Sequence, residues 1–159
     1  MLYSKQKNEF DYLGDNTKGK FFLKNFRLAK KSNIFFASII FRTYYKIIFN
    51  YLLGIDIDVD ATIGFAFNVY HGQGLVISKD TIIGDYVTVR QNTTIGNASP
   101  TSKSPTIGNN VNIGANCVVI GDIKIGDNVI VAAGSVVIRD VPSNVMIAGN
   151  PAVIKRHLS

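Results

Sequence analysis

The chain reads as mainly β, a parallel β-helix of stacked coils preceded by a short helical segment, and three observations carry that reading. The first is a period. Ile77, Ile83, Val89, Ile95, Ile107, Ile113, Val119, Ile125, Val131 and Val137 fall on every sixth position, with Thr101 the one exception. Ile and Val make up about a fifth of the chain, so ten aliphatic residues at eleven such positions do not come from composition. The second is what surrounds each aliphatic residue. A small residue often follows it and a small or β-branched one stands four places on, as in Ile83-Gly84-Asp85-Tyr86-Val87 and Ile113-Gly114-Ala115-Asn116-Cys117. The third is what six excludes. A helix repeats its buried face every 3.6 residues and a strand every 2, so six fits neither. It fits a solenoid in which each hexad supplies one short strand and one corner. Three hexads then close a coil of roughly 18 residues, and coils stack in parallel about 4.8 Å apart.

Taken in order, residues 1–53 are a basic, aromatic helical segment, 54–150 the β-helix and 151–159 a C-terminal tail. Residues 1–17 are polar and expected to be poorly ordered. Lys18 to Leu53 reads as two helices parted near Lys31-Ser32-Asn33, with Ser32 or Asn33 capping the second. Residues 34–53 are apolar and long enough to span a bilayer. Arg42 and Lys46 near the middle would each cost a few kcal/mol there, so a packed or interfacial helix is expected instead. Within the solenoid, residues 61–147 make about five coils. Val69 stands eight residues before Ile77 instead of six, so Tyr70-His71-Gly72-Gln73-Gly74 must bulge. The run Asn97-Ala98-Ser99-Pro100-Thr101-Ser102-Lys103-Ser104-Pro105 is polar and turn-rich and reads as a projecting loop, where binding and chemistry concentrate. The front segment and the tail are expected to cover the solenoid's ends.

Charge is unevenly placed. Residues 1–50 carry ten Lys or Arg against three acids, a balance of +7, and residues 51–159 carry seven against eight, a balance of −1. The basic front end suits an anionic membrane surface. No helix-turn-helix, zinc or stacking-platform pattern accompanies it, so nucleic acid is not an expected partner. No signal-peptide cleavage pattern follows the apolar run. The single cysteine, Cys117, occupies a small inward position and forms no intrachain disulfide, which fits a reducing cytoplasm.

Only two histidines exist, and His157 lies near the carboxyl end. His71, in the bulge, is the imidazole placed to act as a base. Asp56 stands fifteen residues earlier, nearly one coil, where its carboxylate could lie beneath the ring and fix its tautomer. Asp58 and Asp60 are the alternatives, read as solvated or turn-forming. A zinc site would need three ligands, and only one histidine lies in the coils.

The chain resembles the serine acetyltransferase group of hexapeptide-repeat acyltransferases, and within it the small acetyltransferases of exopolysaccharide and capsule assembly. The resemblance covers roughly residues 25–156. It is carried by Asp56 with Ala61-Thr62-Ile63-Gly64, His71-Gly72, residues 89–97, Ile113-Gly114-Ala115, residues 132–137 and Ala148-Gly149-Asn150-Pro151-Ala152. It implies a left-handed coil and a homotrimer with sites at subunit clefts. It also implies acetyl transfer from acetyl-CoA to a hydroxyl without a metal, with His71 as general base and Asp56 as its partner. Main-chain N–H groups near Gly96 or Asn97 would face the oxyanion, and Ala115 and Ala133 would let the pantetheine arm approach. Lys155, Arg156 and Lys103 would meet the phosphates.

The match departs from a serine enzyme at two places. Serine acetyltransferases have an acidic residue before the histidine and an Arg-His pair in the loop, whereas this chain has Tyr70 and Lys103-Ser104. An amino acid thereby loses two handles, while Tyr70 suits a sugar ring and Lys103 the acceptor's surroundings. The reading is a saccharide O-acetyltransferase of polysaccharide biosynthesis, cytoplasmic and peripheral at the membrane's inner face. Serine O-acetylation and a non-catalytic β-helix scaffold are the alternatives.

Overall fold

A computed structural model describes residues 8–31 and 35–158. Five coils stack into a parallel solenoid. Coil one comprises β1 (Ile55–Ile57), β2 (Thr62–Ile63) and β3 (Asn68–Tyr70). Coil two comprises β4 (Leu75–Ile77), β5 (Ile82–Ile83) and β6 (Thr88–Arg90), and coil three β7 (Thr94–Gly96), β8 (Thr106–Ile107) and β9 (Asn112–Ile113). Coil four comprises β10 (Val118–Ile120), β11 (Lys124–Ile125) and β12 (Ile130–Val131). Coil five has β13 (Val136–Val137), a bridge at Val141 and β14 (Val145–Gly149). The strands form three sheets: β1-β4-β7-β10-β13, β2-β5-β8-β11, and β3-β6-β9-β12-β14 with β15 (Ala152–His157) at its edge. The solenoid thus starts at residue 55, six residues before the expected first coil.

The ten aliphatic residues of the six-residue period are all buried and form one column. Val87, Val111, Val129 and Val145 fill the positions between, and Thr81, Thr93, Cys117 and Ser135 supply the small inward groups. Thr101, the exception, is exposed in the loop and belongs to no strand. Register explains why the period runs through it. Paired residues of neighbouring coils are 18 apart at Val76↔Thr94 and Val118↔Val136, but 24 apart at Thr94↔Val118. The loop is therefore an insertion of one whole period. Ile55↔Leu75 pairs at 20, so the bulge after Tyr70 adds two residues.

The corner between the second and third sheets shows why glycine follows the aliphatic residue. A Cβ on Gly64 would lie 2.5 Å from the carbonyl of Gly84, and one on Gly84 2.8 Å from that of Gly108, so each coil's backbone occupies the space a side chain would need. The next residue in each hexad ties the coils together. Asp85 accepts from Phe65 N (2.7 Å), Asn109 from Asp85 N (2.9 Å), Asp127 from Asn109 N (2.6 Å) and Ser143 from Asp127 N (2.9 Å).

The N-terminal segment closes the first coil. It comprises a 3-10 turn at Glu9–Leu13, α1 (Thr17–Lys31), α2 (Phe35–Tyr45) and a π-helical continuation at Lys46–Leu52. Residues 9–13 depart from the expected disorder because Leu13 is buried in the core and Asn8 caps the turn through Phe10 N. The expected helix cap at Ser32 or Asn33 lies outside the described residues. Coil one has no coil above it, and its outer carbonyls would be left unpaired. Side chains from the front segment take them: Tyr45 Oη donates to Ile57 O (3.0 Å), Lys30 Nζ to Ala61 O (2.6 Å), Arg27 Nη1 to Ile63 O (2.8 Å) and Asn16 Nδ2 to Val69 O (2.8 Å). Phe22, Phe26, Tyr45, Phe49 and Phe67 pack as one aromatic layer between the helices and this coil. Part of the front end's positive charge thus serves the backbone of coil one. At the other end, residues 152–157 of the segment expected as a tail form β15, which folds back antiparallel on β14.

Candidate functional site

The bulge after β3 is built from left-handed backbone, with φ of +65° at His71, +78° at Gly72 and +68° at Gly74. Gly72 suits this place twice over, since its φ is left-handed and a Cβ would meet Ile55 Cδ1 at 2.7 Å and Val69 Cγ1 at 3.0 Å. His71 has a Cβ and adopts this conformation nonetheless, at a cost of about 1–2 kcal/mol. The backbone around it enforces the shape: Gly74 N donates to Gly54 O (2.7 Å), Gly72 N to Tyr70 O (2.8 Å) and Leu75 N to Gly72 O (3.0 Å). Left-handed backbone recurs at other corners of the solenoid, as at Ala66, Tyr86, Asn92 and Asn116, so what sets His71 apart is its exposed place in the two-residue bulge.

Below the bulge runs one corner of the solenoid. Asn92 N donates to Gln73 O (2.8 Å), Asn116 N to Gln91 O (3.0 Å) and Gly134 N to Ala115 O (2.9 Å). Ala115 and Ala133 therefore lie on the corner that His71 heads. This corner carries short residues in its lower coils, Ala115-Asn116 and Ala133-Gly134, which leave the backbone approachable along its length.

The other sequence-derived residues lie elsewhere. Asp56 is exposed on β1, and its carboxylate accepts from Asn50 Nδ2 (2.7 Å) in a cleft shared with Arg42 and Lys46. Among the described residues no hydrogen bond joins Asp56 to His71. Asp58 accepts from Asp60 N (2.9 Å), a local turn, and Asp60 pairs with Arg42 (2.7 and 3.2 Å), which holds its carboxyl below the ordinary range. Gly96, Asn97 and Lys103 occupy the corner after the first sheet, the opposite end of three-residue strands from His71, about 10 Å across at 3.3 Å per residue. Asn97 Nδ2 donates to Ser99 O (2.6 Å), and Lys103 stands 3.7 Å from Asp122 in an exposed ion pair. Lys155 and Arg156 lie exposed on β15, four coils from the bulge, and Lys155 is the extra residue where pairing shifts between Met146 and Ile147. Tyr70 is exposed with the Arg90 guanidinium 5.7 Å from its ring centre. Arg90 is itself held by Asn112. Among the described residues no group of three His, Cys, Asp or Glu is placed to hold a metal ion.

Two features escaped the sequence reading. One is Asn50, the partner of Asp56. The other is a cavity of about 350 Å³ beside His71, enclosed by the start of α1, the end of the π-helical turn and the bulge, with Lys18, Phe21, Leu53 and Gln73 in its lining. Only Gln73 lay in a stretch the hexad phase had singled out. The rest arrive through helix docking, for which the repeat carries no signal.

Comparison with known proteins identifies the family. Residues 104–139 match the family model described as bacterial transferase hexapeptide (six repeats). WcaB of Escherichia coli strain K12, whose name assigns it to acetyl transfer in colanic acid biosynthesis, is 43% identical over 112 residues, 70% of this chain and 69% of its own length. This chain belongs to the hexapeptide-repeat acetyltransferases. The serine acetyltransferase of Synechococcus elongatus is 43% identical over 102 residues, 63% of this chain and 42% of that protein. Among solved structures, the serine acetyltransferase of Brucella abortus strain S19 in complex with coenzyme A has a TM-score of 0.77 at 30% identity. The match covers 89% of this chain and 57% of that one. The chain thus spans little more than half the length of that acetyltransferase structure.

Proposed function

We propose that this acetyltransferase moves acetyl from acetyl-CoA to a hydroxyl of a saccharide, with His71 as the general base. The observation that carries the reading is the placement of His71. The single imidazole of the coils is held in left-handed backbone at the head of a corner of short residues and at the mouth of a cavity. The imidazole takes the proton of the acceptor hydroxyl as its oxygen attacks the thioester carbonyl carbon. The carbon–sulfur bond then breaks, and CoA leaves as the thiol after taking a proton. The corner through Ala115 and Ala133 suits the extended pantetheine arm, and Lys155 and Arg156 supply charge for the phosphates. Asp56 serves His71 by turning from Asn50 toward the ring.

Gly96, Asn97 and Lys103 stand about one sheet's width from His71 in the same chain. A homotrimer that sets this corner of one copy against the bulge of another would complete the site. Tyr70 and Lys103-Ser104, where an amino acid's charged handles would be expected, favour a sugar, as does the similarity to WcaB. Serine remains the second reading because the similar solved structures are serine acetyltransferases. A cytoplasmic position, peripheral at the membrane's inner face, completes the proposal. Ile40, Tyr44, Ile47 and Tyr51 are exposed at spacings that share a helix face. Among the described residues no helix is long and apolar enough to cross a membrane.

The test is CoA release from acetyl-CoA by the purified protein with L-serine, a panel of sugars and short glycans. Sugar-dependent release is expected, reduced at least about 100-fold in His71→Ala. Serine-dependent release, or full turnover in His71→Ala, would overturn the acceptor or the base respectively.

A further inference from the structure

The cavity beside His71 has a chemistry of its own. An acceptor that brings a hydroxyl to the imidazole must place its remaining atoms against the surfaces adjoining it, and this cavity adjoins it directly. At about 350 Å³ it falls in the ordinary range for small-ligand pockets and exceeds what a three-carbon acceptor requires. Phe21 is 48% exposed and Leu53 41%, so the rim offers apolar surface left open among the described residues. Thr17 and Gln73 add neutral hydrogen-bonding groups. One charged side chain lines the cavity, Lys18, and no carboxylate does.

The cations of α1 that pack toward coil one are engaged: Arg27 with Glu9 and two carbonyls, Lys30 with Ala61 O. Among the described residues Lys18 makes no ion pair and no side-chain hydrogen bond. An ammonium-bearing acceptor would lose water here and meet a like charge, which is costly. The Lys18 side chain is exposed, so a neutral sugar would leave its ammonium in water, whereas a carboxylate or phosphate in the cavity would gain a charge-assisted hydrogen bond from it.

The geometry points to an anionic saccharide as the acceptor, its carboxylate or phosphate on Lys18 and the apolar face of its ring on Phe21 and Leu53. This assignment rests on His71 being the base. It narrows the acceptor from saccharides in general to those carrying a negative group one cavity's width from the acetylated hydroxyl.

Matched acceptors test it. Methyl glucuronide is compared with methyl glucoside, and glucose 6-phosphate with glucose, in both acetyl transfer and direct calorimetric binding. The expected result is a KM at least about 10-fold lower for the acidic member of one pair. That ratio should fall toward one in Lys18→Gln, return in Lys18→Arg and shrink with added salt. The pair that shows it identifies the anion as carboxylate or phosphate. Equal constants within both pairs, or a ratio untouched by Lys18→Gln, would overturn the anion assignment. Acetylation of neutral sugars that still depends on His71 would in that case leave the base and saccharide reading standing. Acetylation of serine alone would overturn both.

Discussion

Removing Ala98–Lys103 is expected to leave the solenoid folded, although it deletes six consecutive residues from the middle of the chain. In coil four, Gly121, Asp122 and Ile123 join the end of β10 to the start of β11. In coil three, Asn97, Ser104 and Pro105 would then make the same three-residue connection, with Pro105 O still accepting from Ile82 N (3.2 Å). The hydrogen bonds recorded for the deleted residues stay within the loop: Ala98 N and Ser99 N to Ser102 Oγ, and Ser102 N to Ser99 O. What the fold loses is the exposed Asn97 Nδ2 bond to Ser99 O (2.6 Å) and the Lys103–Asp122 pair, exposed by 81% and 66%, together worth about 1 kcal/mol. Shortening the closed segment from 24 to 18 residues returns about 0.3 kcal/mol of closure entropy. The net change is within about 1 kcal/mol. Removing Ser104 as well leaves the connection one residue short and drags β8 out of phase. Ile107, 1% exposed, would turn outward and forfeit about 1.5–3 kcal/mol by itself. Urea midpoints followed by far-ultraviolet circular dichroism distinguish the two variants. Loss of more than about 2 kcal/mol in the six-residue deletion, or equal tolerance of the seven-residue one, would refute the view that the loop is a whole-period insertion.

Two further outcomes follow from the packing. Tyr45→Phe removes the donor to Ile57 O at the uncovered edge of coil one, and about 1–3 kcal/mol should be lost in denaturant titration. No change would mean that water replaces the phenol there. Burial pushes the Cys117 thiol above its ordinary value, and its sulfur lies 3.2 Å from Ala132 O. The neutral thiol's contribution is therefore complete below the unfolded pKa and declines as pH rises toward the raised folded value. Iodoacetamide at mildly alkaline pH should label the folded protein far more slowly than the urea-unfolded chain. Equal rates would place the thiol in solvent.

The architecture was legible because the solenoid buries two positions in each hexad and fills one of them with Ile or Val throughout, which leaves an unmistakable period. The bulge at His71 was legible for the same reason, as a two-residue slip against that period. The loop showed itself by composition alone, because its six added residues preserve phase and kept Thr101 in the count. Ile55 and Ile57 fell within the expected β-helix of 54–150 but outside the coils counted from residue 61, because they precede the steady run of hexads and their burial depends on helices packed above them. The 3-10 turn at Glu9–Leu13 was missed because five residues are too few to show a period, and Phe10 and Leu13 are ordered by packing on the core. The cavity beside His71 was invisible for a related reason. Lys18, Phe21 and Leu53 meet only when two helices dock on coil one, and docking leaves no periodic trace. Asp56 and His71 share a spacing that suggests contact, but the spacing carries no sign of Asn50, which reaches the carboxylate from the π-helical turn just before β1.

The capping of coil one bears on how the molecule stays discrete. A parallel solenoid ends in three bare strand edges at each end, and each edge could recruit the edge of another molecule and grow into a fibre. Tyr45, Lys30, Arg27 and Asn16 occupy carbonyls on all three sides of the upper end, and β15 reverses direction across the third sheet at the lower one. The two ends therefore differ: side chains cover the upper one on all three sides, whereas a turned-back strand covers the third sheet alone at the lower one. End-to-end growth by strand addition is thereby blocked at the upper end, and the third sheet is blocked at the lower one.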